Sequence, residues 1–148
     1  MPAQAIGLHT PPWLPGAMLS LLRVIAGLLL MQHGLQKLFG LLLAPGRTWN
    51  GAPAMFSQSW IAGMLELFVA ALVVLGLFTR PMAFLLSGLM AAAYFMAHAP
   101  RSFFPVLNGG ENVVLFCFVF LYLFAAGGGP YSLDSVLARR RGPGRAAP

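Results

Sequence analysis

Charged residues are scarce in this chain. Only 8% of its 148 residues are charged, 9 basic and 3 acidic, whereas a soluble globular domain carries about 25%. A soluble domain of this size needs more polar side chains to cover its core. With 59% hydrophobic residues and a mean hydropathy of +0.80, the composition excludes most soluble folds. The 12 Phe, 3 Trp and 3 Tyr exclude a disordered chain. We therefore expect most of the folded protein's surface to contact the lipid bilayer.

Cysteine is nearly absent as well. Cys117 is the single cysteine, which excludes an internal disulfide and the dithiol relay of a membrane thiol oxidoreductase. The segment HGLQK offers one histidine with a lysine four residues later, a poor pair of metal ligands. We therefore predict no metal site and no covalently bound cofactor. The arginine-rich end RRRGPGR has no soluble basic face beside it, so nucleic acid is not a predicted partner.

Four apolar stretches separated by turn-forming residues are present. They predict an all-α integral membrane protein, a multi-pass four-helix bundle built as a single domain over residues 1–148. We place the spans at about residues 17–44, 60–78, 82–98 and 111–126. Thr79-Arg80-Pro81 is predicted to be a tight turn that makes the second and third spans an antiparallel hairpin. The fourth stretch is short for a crossing, unless its preceding loop dips into the headgroups.

The distribution of basic residues predicts the orientation. An even number of spans puts both termini and the Arg80 turn on one side, and the positive-inside rule places that side in the cytoplasm of a bacterial inner membrane. The arginines on that side are Arg23, Arg80, Arg139, Arg140, Arg141 and Arg145, against Lys37, Arg47 and Arg101 near the other side. In the cytoplasmic tail, residues 127–148, Ser132 is predicted to cap a short interfacial helix with Leu133, Val136 and Leu137 on its apolar side.

Two opposite charges fall at matched depth in the outer half of the spans. Lys37 lies six residues before Leu43 and Glu66 lies six residues after Trp60, so each is about 9 Å below the outer edge at a helical rise of about 1.5 Å per residue. An unpaired charge there costs about 3 kcal/mol. We therefore expect Lys37 and Glu66 to pair.

Spacing predicts which helix faces point inward. The four inward stripes are Gly27, Gly34 and Lys37; Gly63, Glu66 and Ala70; Gly88, Ala91 and His98; and Glu111, Leu115, Phe118 and Tyr122. The predicted polar pocket comprises His33, Lys37, Glu66, His98, Arg101, Asn108, Glu111 and Tyr122. Convergence of these side chains in one half of a bundle favours a ligand-binding role. A purely structural role, in which the Lys–Glu pair fixes helix register, remains the alternative.

Four ordered motifs carry a resemblance to a known family. They are HGLQKLFG at 33–40, GLFTRPMA at 76–83, the His98 stretch ending in NGGEN, and GGGPYSLD at the exit of the fourth span. With Glu66 they resemble the DoxX family of small four-helix membrane proteins, over Leu22 to Asp134. The matching positions are His33, Gly34, Lys37, Gly40, Glu66, Arg80, His98, Asn108, Gly109, Gly110, Glu111 and Ser132 to Asp134.

The resemblance implies a bacterial inner-membrane bundle. It also implies relatives linked to quinone-coupled sulfur oxidation, and to membrane complexes with oxidative-stress enzymes such as a superoxide dismutase and a sulfurtransferase. We therefore predict a redox-linked membrane subunit or anchor that interacts with a quinone and works with other membrane proteins. Without a thiol pair or cofactor motif, it is not expected to be a complete enzyme alone. The alternatives are a non-catalytic accessory subunit of a larger complex and, favoured least, a proton or small-solute transporter.

Overall fold

The computed structural model describes residues 10–140, and every regular element within that range is a helix. We number these helices α1 (Leu14–Phe39), α2 (Gln58–Leu75), α3 (Thr79–His98), α4 (Pro105–Asn108), α5 (Glu111–Ala126) and α6 (Leu133–Arg140). By length and composition, α1, α2 and α3 can each cross a membrane, whereas α5 is a shorter apolar helix of 16 residues. The predicted all-α class is confirmed. Arg141 and Arg145 of the tail, which were counted in the orientation prediction, lie outside the described residues.

The ends of two spans differ from the prediction. α1 ends at Phe39, not at residue 44, because Gly40 adopts a left-handed backbone with φ of 65° that closes the helix. The predicted turn at Thr79-Arg80-Pro81 is wrong, since these residues form the first turn of α3. Proline is tolerated there because the first N–H groups of a helix have no partner within it. The chain reverses instead at residues 76–78, where Gly76 and Phe78 both have positive φ.

One hydrophobic core joins the four long apolar helices. Its buried side chains are Ala26 and Leu30 of α1, Ala70 and Val73 of α2, Ala83, Leu86 and Met90 of α3, and Phe120 and Leu123 of α5. The most extensive packing pairs α1 with α2 and α3 with α5, whereas α1 and α5 touch at few points. A seam between α1 and α5 is therefore left open along the side of the molecule.

Glycines bring α1 and α2 into close contact. A Cβ atom added at Gly34 would lie 2.8 Å from the carbonyl oxygen of Gly63 and 2.8 Å from the backbone nitrogen of Leu67. Gly27 is equally confined, by Val74. The predicted inward stripes of α1 and α2 are therefore confirmed, and they set Lys37 opposite Glu66.

The predicted inward stripes of α3 and α5 are wrong in part. Gly88 is exposed, with open space around it, because the larger Leu86 and Met90 fill the core on α3. On α5, Tyr122 and the rest of its stripe are exposed, while Phe120 and Leu123 are buried. A helix that is apolar on all sides has little polarity contrast to reveal its inner face.

Candidate functional site

A cavity of about 340 Å³ lies between α1, α2, α3 and α5. Four of the eight predicted pocket residues line it: His33, Lys37, Glu66 and His98. The remainder of its wall is largely apolar, with Leu30, Met90 and Phe116 among its members. Lys37 and Glu66, which the sequence placed at matched depth, thus line one space between the helices.

The central contact of the cavity is the predicted ion pair. Lys37 Nζ lies 2.6 Å from Glu66 Oε1, a distance at which the ammonium donates a short, charge-assisted hydrogen bond. The Lys37 side chain is 36% exposed and the Glu66 side chain 5%. Glu66 Oε2 is buried and has no hydrogen-bond partner among the described residues. Half of this carboxylate's capacity to accept hydrogen bonds is therefore unused.

Both Glu66 and His98 lie in short π-helical segments. Leu65–Val69 interrupts α2, and Tyr94–His98 ends α3. A π turn holds more residues than an α turn and so rotates the side chains that follow it, and such turns are frequent at functional sites. Two of the cavity's polar side chains thus lie where the regular α-helical hydrogen bonding is interrupted.

A hydrogen-bonded loop fixes His98. Its Nδ1 lies 3.2 Å from the carbonyl oxygen of Asn108, and because a carbonyl only accepts, Nδ1 is the donor of this hydrogen bond. The buried Asn108 amide donates to the Ser102 carbonyl at 2.7 Å, and its oxygen accepts from the Gly110 N–H at 2.7 Å. Asn108 therefore organises the loop before α5.

The other predicted pocket residues lie outside the cavity wall. Arg101 is exposed in the turn after α3, Glu111 is exposed in the first turn of α5, and Tyr122 is 55% exposed on the outer side of α5. Asn112 does line the cavity and was not predicted. Asn112 belongs to the NGGEN motif, from which Asn108 and Glu111 were predicted as pocket residues instead.

A largely apolar groove lies beside the cavity, along the open seam between α1 and α5. It has a volume of about 430 Å³ and includes Ile25, Leu29 and Val119 in its wall. His33, Asn112 and Phe116 line both the groove and the cavity. The two spaces therefore adjoin at these three side chains.

A second polar cluster lies at the opposite end of the helices, where α1 begins. Arg23 is 2% exposed and donates to the carbonyl oxygens of Val73, Val74, Gly128 and Tyr131, at 2.6 Å to Val73 and 2.9 Å to Gly128. These bonds satisfy carbonyls near the end of α2 and hold the GGGPYSLD segment. From the sequence, Arg23 was counted only among the basic residues that predict the orientation, so its hydrogen bonds to these carbonyls were not predicted.

Asp134 links the same segment to the start of α3. Its carboxylate accepts hydrogen bonds from the N–H groups of Phe78 and Thr79, both at 2.8 Å. Burial alone raises the pKa of this carboxyl, but the hydrogen bonds from Thr79 and Phe78 and the charge of Arg23 outweigh it, so the pKa lies below its ordinary value. Ser132 Oγ accepts from the Ser135 N–H at 3.2 Å, which confirms the predicted cap of α6.

The fold and the cavity define a small, all-helical membrane protein with an ion pair enclosed between its helices. The DoxX family model matches residues 18–99, and the chain belongs to the DoxX family. A relative from Haemophilus influenzae, an uncharacterized protein, is 37% identical over 122 residues, which cover 79% of this chain and 88% of the relative. No solved structure matches the chain. The matched region includes His33, Lys37, Glu66 and His98.

Proposed function

We propose that this DoxX protein is a redox-linked subunit of the bacterial inner membrane that binds a quinone headgroup in the cavity at Lys37 and Glu66. The observation that carries the proposal is that a charged cavity and a largely apolar groove lie side by side and share His33, Asn112 and Phe116 in their walls. A membrane quinone has the same two parts, a polar ring on a long apolar tail. Both volumes, about 340 and 430 Å³, lie in the range of about 300–1,000 Å³ typical of ligand pockets.

The charged side chains suit the two oxygens and the protons of such a ring. The Lys37 ammonium, or the imidazole of His33, can donate a hydrogen bond to a ring carbonyl. Glu66 can hold a proton that accompanies reduction, because its Oε2 is buried and unpaired among the described residues. Glu111, the other acid considered for this role, is exposed and outside the cavity wall, so we assign the role to Glu66.

The proposal includes the arrangement in the membrane. We place the four apolar helices as a transmembrane bundle with both termini in the cytoplasm, in keeping with the excess of arginines at that end. The cavity then lies in the outer half of the bilayer, and the seam between α1 and α5 faces the acyl chains. A quinone would enter sideways from the lipid, while other membrane proteins would supply or remove the electrons.

The test is a titration of the purified protein, in lipid nanodiscs, with a short-chain quinone analogue. We expect saturable binding that Lys37→Met weakens by roughly tenfold or more, the effect of losing one charged hydrogen bond to the ring, and that Glu66→Gln also weakens, because Lys37 loses the carboxylate that holds it in place. Arg47→Met and Glu111→Gln remove the same charges from exposed positions outside the cavity and should leave binding unchanged. Absence of saturable binding, or equal effects of all four variants, would contradict the proposal.

An accessory subunit without a ligand is the second candidate. It is favoured by α6, whose apolar side chains Leu133, Val136 and Leu137 are exposed by about 40% each and can pack on a partner or on the membrane surface. This role predicts comigration with specific proteins on native gels after mild extraction, without saturable quinone binding. Saturable binding at Lys37 and Glu66 would exclude the ligand-free form of this role.

A further inference from the structure

The last described helix, α6, is held at the end of the apolar helices. Hydrogen bonds join the Asp134 carboxylate to the N–H groups of Phe78 and Thr79, both at 2.8 Å. The Asp134 N–H donates in turn to the Gly76 carbonyl oxygen, also at 2.8 Å. Residues 76–79 connect α2 to α3, so α6 starts at the level where these two helices meet. With α2 and α3 placed across a membrane, that level is the boundary between acyl chains and headgroups.

One face of α6 is apolar and ends in a basic side chain. Leu133, Val136, Leu137 and Arg140 follow one another at intervals of three and one, so they lie on the same side of the helix. Every residue from 136 to 140 is exposed. A helix of two turns is only marginally stable in water without packing. The face of α6 therefore requires something to cover it.

The free charges at this end of the molecule are positive. Arg139 and Arg140 are exposed at the end of α6, and Arg80 is exposed in the first turn of α3. Among the residues that the structure describes, none of these three arginines forms an ion pair with a carboxylate. Asp134, the acidic residue of α6, is engaged by the start of α3. A surface with an apolar face and basic side chains matches the boundary of an anionic lipid leaflet.

We propose that α6 lies on the membrane surface and binds phospholipids whose headgroups carry a net negative charge. The inference is independent of the quinone site and rests only on the placement of the helices across the membrane. Leu133, Val136 and Leu137 enter the boundary of the acyl chains, while Arg139 and Arg140 extend to the lipid phosphates. A zwitterionic headgroup offers a phosphate but leaves the leaflet uncharged, whereas an anionic leaflet attracts each basic side chain near its surface.

The test measures amide hydrogen exchange in α6, with the full-length protein in nanodiscs. One set contains phosphatidylcholine alone, and the other contains equal parts of phosphatidylcholine and phosphatidylglycerol. We expect the amides of residues 137–140 to exchange roughly tenfold or more slowly in the anionic nanodiscs, the scale of attraction for two basic side chains. The difference should shrink at high salt, which screens exposed charges. Exchange within α1, α2 and α3 should be the same in both lipids and verifies that the protein is folded.

A pair of double variants assigns the preference to its residues. Arg139→Gln with Arg140→Gln should remove most of the difference between the two lipids. Arg47→Gln with Arg101→Gln removes two exposed arginines at the opposite end of the helices and should preserve it.

Three results would overturn the inference while leaving the quinone site intact. The first is fast exchange in both lipids, which would leave the face of α6 to a protein partner. The second is a lipid preference that the α6 variant leaves unchanged. The third is equal protection by inorganic phosphate added to the phosphatidylcholine nanodiscs. Failure of the protein to enter nanodiscs of either composition would instead overturn its placement in the membrane, and this inference with it.

Discussion

At the scale of single residues, Gly34 sets how closely α1 approaches α2. Its missing side chain leaves room for backbone atoms of Gly63 and Leu67, one turn before Lys37 and beside Glu66. Backbone cannot move aside as a flexible side chain can. The 2.6 Å contact between Lys37 and Glu66 therefore depends on the absence of a methyl group at this position.

Gly34→Ala should lower the stability of the protein by about 1–3 kcal/mol, because an added methyl in a tight contact forces the helices apart. Gly88→Ala is the matched control on α3, where nothing lies within 4 Å of the new Cβ, and it should raise stability by up to about 1 kcal/mol through helix propensity. Unfolding in mixed detergent micelles measures both. Equal stability of the two variants would show that the α1–α2 approach is looser than described.

The sequence predicts some of these residues and misses others for physical reasons. Lys37 and Glu66 were paired correctly because depth in a membrane follows from residue count, and a buried charge needs a partner. His98 was assigned to the pocket, but the π turn that contains it has no signature in the sequence. Tyr122 was misplaced because α5 is apolar on every side, so spacing could not select its inner face.

At the scale of secondary structure, Asp134 makes the start of α3 depend on the segment after α5. The carboxylate accepts from the first N–H groups of α3, and Arg80 in the same turn donates to the carbonyls of Phe124 and Ala125 at the end of α5, at 2.9 and 2.7 Å. The negative charge of Asp134 at the start of α3 and the positive charge of Arg80 at the end of α5 also interact favourably with the helix dipoles. The start of α3 is therefore hydrogen-bonded both to α6, through Asp134, and to the end of α5, through Arg80.

The Asp134 cap should make stability depend on acidity. Because the pKa of Asp134 is lower in the folded state, its contribution is complete above the unfolded value of about 3.9 and is lost as the pH falls through the folded pKa. Asp134→Asn should therefore be less stable than the native protein at pH 7, by about 1 kcal/mol. That difference should shrink below pH 4, as followed by thermal denaturation at a series of pH values. A difference that stays constant with pH would contradict this assignment.

A separate prediction concerns the groove between α1 and α5, which we propose holds the quinone tail. Ile25→Trp places a larger side chain in the groove, so it should weaken binding of a long-chain quinone roughly tenfold or more. A tenfold change corresponds to about 1.4 kcal/mol of lost apolar contact. A tail-free headgroup analogue should bind as before. Leu21→Trp is the control, since Leu21 is similarly exposed on α1 but is not part of the groove. Equal loss for the two ligands, or equal effects of the two variants, would place the tail elsewhere.

The helices themselves were predictable to within a few residues. Runs of apolar residues locate α1, α2, α3 and α5, because the bilayer requires them. Their ends were less predictable, since Gly40 closes α1 early and Pro81 is accommodated inside the first turn of α3. The open seam was not predicted, because hydropathy identifies helices but does not specify which of them pack together.

At the scale of the whole molecule, the few charges serve different purposes at the two ends. Arg23 and Arg80 bind helix-terminal carbonyls, so they contribute to folding as well as to the count of basic residues that predicts a cytoplasmic end. At the other end, Lys37 and Glu66 enclose a space that the helices do not fill. The first group explains how the protein is held together, and the second lines the space that we propose holds a ligand.

Photochemical labelling tests the central claim, that this space holds a quinone ring, most directly. A quinone that carries an azide on its ring is irradiated with the protein in nanodiscs of bacterial lipid, and the cross-linked residues are mapped by mass spectrometry. The account predicts cross-links on cavity residues such as Leu30, Met90 and Phe116, which are abolished by excess unlabelled quinone and reduced by Lys37→Met. Labelling spread evenly over exposed side chains such as Phe84 and Leu85, or unaffected by the competitor, would contradict it.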